Sequence, residues 1–232
     1  MSAQKESRYE ELVGSRKACT RCAAMGVRNP SSPSLRKWDS HHIGPWTRWL
    51  GDLNARVMVV GQDWGSRSLF EKQGGLDLPS NATNRRLREL LALVGVEVPD
   101  VADEPPSTGV FLTNAVLCLK GGGSQSVVAA EWFTNCGTSF LRPQIELVRP
   151  RVVVTLGERA YEALMNAFGL QRRKFREAVE SPGIALATGT TAVAVYHCGR
   201  RVRNKDRRDP EQEHDWVRVR RALDSVSGAS VA

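Results

Sequence analysis

Three residues whose side chains can take part in acid–base or hydrogen-bonding chemistry, Asp63, Asn114 and His197, each lie at or near the end of a short apolar run. The runs occupy residues 57–60, 110–117 and 192–196. Each is rich in β-forming residues and too short for a typical helix, which indicates a strand buried in a parallel sheet. Because the carboxyl ends of parallel strands lie on one side of the sheet, we expect the three side chains to meet in one crevice, the usual ligand site of an open α/β sheet.

The first of these strand ends has the sequence Gly61-Gln62-Asp63-Trp64-Gly65. Gly61 has no side chain, so another group can come close to the backbone there, and Asp63 offers a carboxylate just beyond it. Taken alone, the segment is more typical of an ordinary turn that exposes an aspartate. The two other polar strand ends favour a functional site, because three separate polar groups would otherwise each need their own partners.

Five cysteines offer a second kind of chemistry. Cys19 and Cys22 form a C-x-x-C pair, which can chelate a metal or form a redox couple, and the absence of a preceding strand favours the metal. A C-x-x-C pair with two distant cysteines suits zinc and an iron–sulfur cluster equally well. Cys198 lies directly after His197. It is interpreted as a small packing residue, with a redox-sensing thiol as the alternative.

The elements that position these residues alternate along the chain. A further strand is predicted at 152–156, and helices at 84–94, 126–148 with a break near 136–137, 157–168 and 209–223. Strands alternating with helices predict an α/β fold, a three-layer α/β/α sandwich with a mostly parallel four-stranded central sheet. The 232 residues suit one domain, 1–232, on which the cysteine-bearing segment 1–50 is docked. The stretch 66–83 is predicted to be a long binding loop.

Charge and composition limit the partner and the compartment. The net charge is +8 and the pI is about 9.6, which favours a polyanionic partner. No apolar run approaches the length of a membrane span, and the polar N-terminus lacks the apolar centre of a signal peptide. We therefore expect a cytoplasmic protein without a membrane partner, in which cysteines serve metal binding or catalysis rather than disulfides.

The order and spacing of these motifs resemble the uracil-DNA glycosylase superfamily, and most closely its iron–sulfur branch, families 4 and 5. The resemblance runs from Cys19 to the last predicted helix. Each motif alone is weak, and their common order identifies the family. The carriers are the segment 61–65, the strand 112–116, the segments 144–150 and 154–157, His197, and the cysteines Cys19, Cys22, Cys118 and Cys136.

The resemblance implies a role for each polar strand end. Asp63 stands where the family has the acid that orients water and stabilises positive charge on the sugar. Asn114 matches the asparagine that reads the pyrimidine edge, and His197 matches the histidine that holds the oxyanion of the departing base. These residue types fit the breaking of an N-glycosidic bond, which develops a cationic sugar and an anionic base.

The resemblance also implies a substrate-binding set and a cofactor. The set comprises Gly61, Gln62, Trp64, Gly65 and Phe70. Phe70 is predicted to stack on the flipped base, with Trp64 as the second candidate. Gly65 stands where family-1 enzymes have the tyrosine that excludes the thymine methyl group, which predicts a looser pocket. The four-cysteine set is assigned to a [4Fe–4S] cluster in preference to zinc.

A basic stretch follows the last predicted strand, with six basic side chains in residues 199–208. It corresponds in position to the family's loop that probes the duplex, so the resemblance implies DNA contacts by Arg200, Arg201, Val202 and Arg203. Arg201 or Val202 is predicted to fill the gap left by the flipped base. The alternative is a solvated run of charge before a helix.

The sequence therefore predicts a monofunctional DNA glycosylase that removes uracil or a related deaminated base flipped out of DNA, and that acts as a monomer. Two alternatives stay open. One is a module that binds or covalently traps damaged DNA without turnover, and the other is an unrelated metal-dependent or redox enzyme with the same fold.

Overall fold

The computed structural model describes residues 3–43, 52–75, 81–98, 109–123 and 126–227. Its strands are β1 (Val27–Arg28), β2 (Val57–Asp63), β3 (Val110–Val116), β4 (Leu119–Lys120), β5 (Val152–Leu156), β6 (Ile184–Ala185) and β7 (Thr191–Val195). Its α-helices are α1 (Ala3–Ala18), α2 (Arg67–Lys72), α3 (Ala82–Leu93), α4 (Ala130–Cys136), α5 (Arg142–Val148), α6 (Glu158–Ala167), α7 (Phe175–Glu180), α8 (Arg200–Lys205) and α9 (Asp209–Ser227). A π-helical segment, Gly137–Leu141, joins α4 to α5.

The central sheet has five strands in the order β3–β2–β5–β7–β6. The first four are parallel, and β6 pairs antiparallel with β7 at one edge. All residues of β3 and β5 are buried, which is why their sequences are apolar along most of their length rather than alternating. The prediction of an α/β sandwich with a mostly parallel sheet is confirmed, and β6 is added to the four predicted strands. Neither of its two residues is buried, so no apolar run marks it.

Helices cover both faces of the sheet. On one face α1, α4, α5, α6 and α7 enclose a core that includes Phe111 and Ile145. On the other face α3 and α9 pack together over a second core, which includes Leu90 and Trp216. Three layers result because a sheet with two apolar faces must be covered on both. None of the helices in the described residues is long and apolar enough to cross a bilayer.

The N-terminal segment is attached through a helix that the sequence analysis does not predict. α1 packs on α5, and the ring of Tyr9 meets that of Phe111 edge-on, with centroids 6.3 Å apart. Arg16 is 2% exposed and binds Asp39 at 2.7 Å and two backbone carbonyl oxygens. β1 then pairs antiparallel with β4, outside the central sheet. The contacts of α1 with α5 and Phe111, and the β1–β4 pair, tie residues 3–43 to the rest of the protein, while Arg16 holds the segment together internally.

Two stretches predicted as loops contain short helices. Within 66–83 the chain forms α2, whose N-cap Ser66 accepts a hydrogen bond from the backbone N–H of Leu69 at 3.3 Å. Residues 76–80 of that stretch lie outside the described residues. Within 199–208 the chain forms α8, which begins directly after Gly199. The predicted duplex-probing loop is therefore a helix over most of its length.

Candidate active site

The carboxyl ends of β2, β3 and β7 open into one cleft of about 860 Å³, and Asp63, Asn114 and His197 all line it. Of the other residues singled out in the sequence, the cleft wall includes Gly61, Gln62, Trp64, Gly65, Arg200, Arg201 and Val202. The parallel arrangement of the strands places these side chains on one side of the sheet, as ligand sites of open α/β sheets require.

The Asp63 carboxylate is surrounded by hydrogen-bond donors. The backbone N–H of Gly65 donates to Oδ1 and the side-chain amide of Gln62 donates to Oδ2, each at 2.7 Å. Lys120 Nζ lies 3.1 Å from Oδ1 and 3.2 Å from Oδ2. The side chains of Asp63 and Lys120 are 7% and 5% exposed, so this ion pair is nearly buried. The sequence analysis did not identify Lys120, which lies 57 positions from Asp63.

Asn114 is held in the wall of the cleft by its neighbour across the sheet. Its Cα pairs with that of Gly61 in the β2–β3 register, and the residue is 7% exposed. A Cβ added to Gly61 would overlap Asn114 Oδ1. The glycine is therefore needed because the amide of Asn114 lies against the β2 backbone at this point.

His197 is partly buried, and its ring is fixed by a backbone donor. Its Nδ1 accepts a hydrogen bond from the N–H of Gly199 at 2.9 Å, which in the neutral imidazole leaves the proton on Nε2. Burial lowers the pKa of His197, and the nearby charge of Asp63 opposes this shift only in part. A Cβ on Gly199 would lie 2.8 Å from Nδ1, so this hydrogen bond depends on glycine. The site thus provides a neutral N–H donor.

The prediction that Phe70 stacks on a ligand is wrong. Phe70 is 0% exposed, lies in an apolar cluster with Leu35 and Leu119, and does not line the cleft. The reason is the unpredicted helix α2, whose apolar side turns this ring into the protein. Among the described residues, the aromatic rings in the cleft wall are those of Trp64, Phe175 and Tyr196.

Phe175 and Tyr196 form an aromatic pair that the sequence analysis missed, with ring centroids 5.0 Å apart. Phe175 is flanked by Arg173, Lys174 and Arg176. An aromatic residue placed among basic ones is a pattern typical of nucleic-acid contacts, and it could have drawn attention to this segment.

The arginines after β7 divide into two groups. Arg200 and Arg201 line the cleft together with Val202. Arg203, by contrast, makes two hydrogen bonds to the carboxylate of Asp209, at 2.6 and 2.5 Å. The structure therefore gives Arg203 a partner within the chain rather than a place in the cleft wall.

The four cysteines Cys19, Cys22, Cys118 and Cys136 line one small cavity of about 30 Å³. Burial raises the pKa of Cys136 to about 11 and also raises that of Cys118, and the neighbouring cysteines add to both shifts. In the described part of the chain no three His, Cys, Asp or Glu side chains converge on a point where they could hold a single metal ion. The cysteines thus line one small cavity, and thiolates are the ligands that both zinc and iron–sulfur clusters use.

Cys198 is a separate, fully buried thiol. Its Sγ lies 3.6 Å from the carbonyl oxygen of Thr83, and burial raises the pKa of Cys198 to about 12. A thiol with no exposed surface and a raised pKa is unreactive. Cys198 is therefore a packing residue, as expected from the sequence.

Comparison with known proteins agrees with this geometry. A family model described as the Uracil DNA glycosylase superfamily matches residues 49–220. The chain is 30% identical over 207 residues to the type-5 uracil-DNA glycosylase of Pyrobaculum aerophilum, an alignment that covers 82% of this chain and 81% of that protein. It is 27% identical over 139 residues to the type-4 uracil-DNA glycosylase of Archaeoglobus fulgidus, covering 60% of this chain and 62% of that protein.

Proposed function

The chain belongs to the uracil DNA glycosylase superfamily, and we propose that it is a DNA repair glycosylase that hydrolyses the N-glycosidic bond of uracil, or of a related deaminated base, flipped out of DNA. The observation that carries the proposal is the meeting of Asp63, Asn114 and His197 in one cleft at the carboxyl ends of three parallel strands. The cleft is large enough to admit a flipped nucleotide, since small-molecule sites commonly have volumes of about 300–1,000 Å³.

In this proposal Asp63 and His197 stabilise the two charges that form as the bond breaks. The negative carboxylate of Asp63 stabilises the positive charge that develops on the sugar. The neutral imidazole of His197 donates from Nε2 to the oxygen on which the departing base gathers negative charge. Both interactions are stronger in the transition state than with the bound substrate, which is the condition for catalysis.

Asn114 is the proposed reader of the base. Its carbonyl oxygen and NH₂ group can satisfy an N–H donor and a carbonyl acceptor on one pyrimidine edge at the same time. Its burial and its contact with the Gly61 backbone fix the amide before the substrate arrives. The energetic cost of removing the target from the base stack is a few kcal/mol, and is lowest for mispaired or single-stranded bases.

We propose that Cys19, Cys22, Cys118 and Cys136 hold a [4Fe–4S] cluster. Four cysteines that line one small cavity offer the thiolate ligands that both zinc and iron–sulfur clusters use, and the similarity to type-5 and type-4 enzymes favours the cluster. The cluster's contribution would be a cross-link between the N-terminal segment, 1–50, and the body of one domain spanning 1–232, because its ligands come from distant parts of the sequence.

We place the DNA backbone along the rim of the cleft. Arg200 and Arg201 are the proposed phosphate-binding residues of α8, and Arg201 or Val202 occupies the space left by the flipped base. Arg203 stabilises the start of α9 through Asp209 instead. The protein acts on DNA as a monomer in this proposal.

The test is release of free base from oligonucleotides that contain one uracil, single-stranded and double-stranded. We expect abasic sites to accumulate in excess of the enzyme present. Binding without base release, or a covalent protein–DNA adduct in place of turnover, would show instead a module that recognises or traps damage.

A further inference from the structure

Lys120 is a buried cation in the cleft wall for which the reaction described above has no role. Lysine side chains are almost never fully buried unless they are paired, and that of Lys120 is 5% exposed. Its Nζ lies between the two oxygens of Asp63, 3.1 Å from one and 3.2 Å from the other. An ammonium group placed this way restrains the carboxylate at both oxygens.

The backbone of Lys120 is fixed by three other parts of the chain. On one side it pairs with Val27 in the β1–β4 ladder, and on the other it forms a parallel bridge with Ser66. The preceding residue, Leu119, is 0% exposed and packs in the apolar cluster that includes Trp64. The position of the ammonium group is therefore set by the fold, unlike that of a flexible surface lysine.

The contacts of Lys120 leave Asp63 with little freedom. A carboxylate has about four lone-pair sites. Two of these are used by the donors from Gly65 and Gln62, and the ammonium group contacts both oxygens. A carboxylate held by three hydrogen bonds and an ion pair does not rotate readily. It acts as a fixed negative charge.

We propose that Lys120 is a positioning residue for the glycosylase reaction: it holds the Asp63 carboxylate in the one orientation that faces the developing charge on the sugar. The inference rests on the proposed function. It also has a physical counterweight, because a cation beside Asp63 weakens the negative potential that the sugar experiences. Lys120 therefore raises the reaction rate only if fixing the orientation of the carboxylate stabilises the transition state by more than the weakened negative potential destabilises it.

The experiment measures the single-turnover rate and the Kd for a single-stranded uracil oligonucleotide. Lys120→Met is expected to lower the rate by about 10²-fold, the effect of misplacing a reacting group by roughly 1 Å, and to leave the Kd unchanged. Lys120→Arg, which keeps a cation and presents a planar fork of N–H donors to the carboxylate, is expected to recover most of the rate. Lys72→Met is the matched control, since Lys72 is an exposed lysine on α2, which contacts β4.

A double-mutant cycle separates positioning from an independent role. If Lys120 acts through Asp63, Lys120→Met causes no further loss of rate in an Asp63→Asn background. Rate losses that multiply, or a Lys120→Met rate equal to or above that of the wild type, would overturn the inference. Where Lys120→Met does not fold, Lys120→Gln serves in its place, because it retains an N–H donor for one oxygen. Inactivity of the wild-type protein on uracil would refute the proposed function itself.

Discussion

Asp63 and His197 lie in different electrostatic surroundings. A lysine and two N–H donors surround the carboxylate of Asp63, whereas burial disfavours a charged imidazole at His197. An anion beside the sugar and a neutral donor beside the base match the charges that develop in the proposed reaction. At the scale of single residues, the site is therefore arranged for the transition state rather than for tight binding of the substrate.

Replacing either group tests this arrangement. Asp63→Asn and His197→Ala are each expected to lower the single-turnover rate by roughly 10²–10⁴-fold, the usual scale for positioned acid–base and oxyanion-stabilising groups. Affinity for the oligonucleotide should change little. Glu158→Gln is the control, because Glu158 is an exposed acid in the same cleft wall. Full activity of Asp63→Asn would indicate a mechanism without a carboxylate.

The pH dependence follows from the lowered pKa of His197. As the pH falls, the unfolded chain is protonated first, near the ordinary value of about 6.5. The stability that depends on neutral His197 is thus present above that pH and lost as the pH falls through the lowered folded value. The rate should likewise persist just below pH 6.5 and decline only at lower pH, because protonation of Nδ1 removes the acceptor for the Gly199 N–H that fixes the ring. Single-turnover rates between about pH 5 and pH 8 check this, and His197→Ala should lack the acidic decline. A wild-type midpoint above 6.5 would contradict the lowered pKa.

The range of accepted bases depends on Trp64 and Gly65. Gly65 has a φ of +111°, which side chains rarely adopt, and the Trp64 ring packs edge-on against Phe70 at 5.9 Å. A methyl-sized difference in a pocket is worth only about 1–3 kcal/mol. We therefore expect cleavage of 5-hydroxymethyluracil and hypoxanthine as well as uracil, measured on matched oligonucleotides, with paired thymine spared. If uracil alone is cleaved, Trp64 acts as the gate.

At the scale of elements, the long apolar strands were predictable and the short helices were not. β2, β3, β5 and β7 follow from apolar runs, because both faces of the sheet are covered. α2, α7 and α8 have six residues each, too few to show a helical period. α1 is longer, but Val13 and Arg16 are its only buried residues, so it carries no apolar stripe.

The same distinction applies to the site. Asp63, Asn114 and His197 could be brought together from the sequence because parallel strands place their ends on one side. The ion-pair partner of Asp63 could not be predicted from the sequence, because Lys120 lies in β4 and reaches Asp63 only after the chain turns out of β3. The error at Phe70 has a similar cause, since α2 determines which way that ring faces.

The four cysteines lie in three separate parts of the fold. The proposed cluster would cross-link these parts, so its loss can be measured as a loss of stability. Cys136 ends α4 at the π-helical segment, and Cys118 follows β3. Cys136→Ser is expected to lower the iron content and the Tm together, because a cross-link to the N-terminal segment is lost. Cys198→Ala, which removes a cysteine outside the cavity, should keep the iron and the brown colour. Zinc in a colourless wild-type protein would refute the iron–sulfur assignment.

At the scale of the whole molecule, the basic side chains that give the net charge of +8 have different roles. Arg203 and Arg207 are held by Asp209 and Asp215, so part of the basic stretch after β7 stabilises α9. A second basic segment, residues 172–176, stands beside the cleft because Phe175 is part of its wall. Long-range attraction of DNA therefore depends on both sides of the cleft.

Arg173 and Lys174 are exposed, and within the described residues neither side chain has an acidic partner in an ion pair. Each phosphate contact releases counterions, so the Arg173→Gln/Lys174→Gln variant should reduce the slope of log K against log salt concentration by about 1.4 on single-stranded DNA, at about 0.7 for each contact. Arg200→Gln is expected to reduce the slope by about 0.7.

Two variants serve as controls for these salt titrations. Arg203→Gln should lower the Tm with little change in slope, because Arg203 is paired with Asp209. Arg221→Gln should change neither binding nor slope. The neighbouring Arg220 binds the carbonyl of Leu93 at the C-terminal end of α3, about 9 Å along the helix from Leu87, the nearest α3 residue in the cleft wall. Equal slopes for the wild type and the Arg173→Gln/Lys174→Gln variant would remove residues 172–176 from the DNA path and leave α8 as the basic element that contacts phosphates.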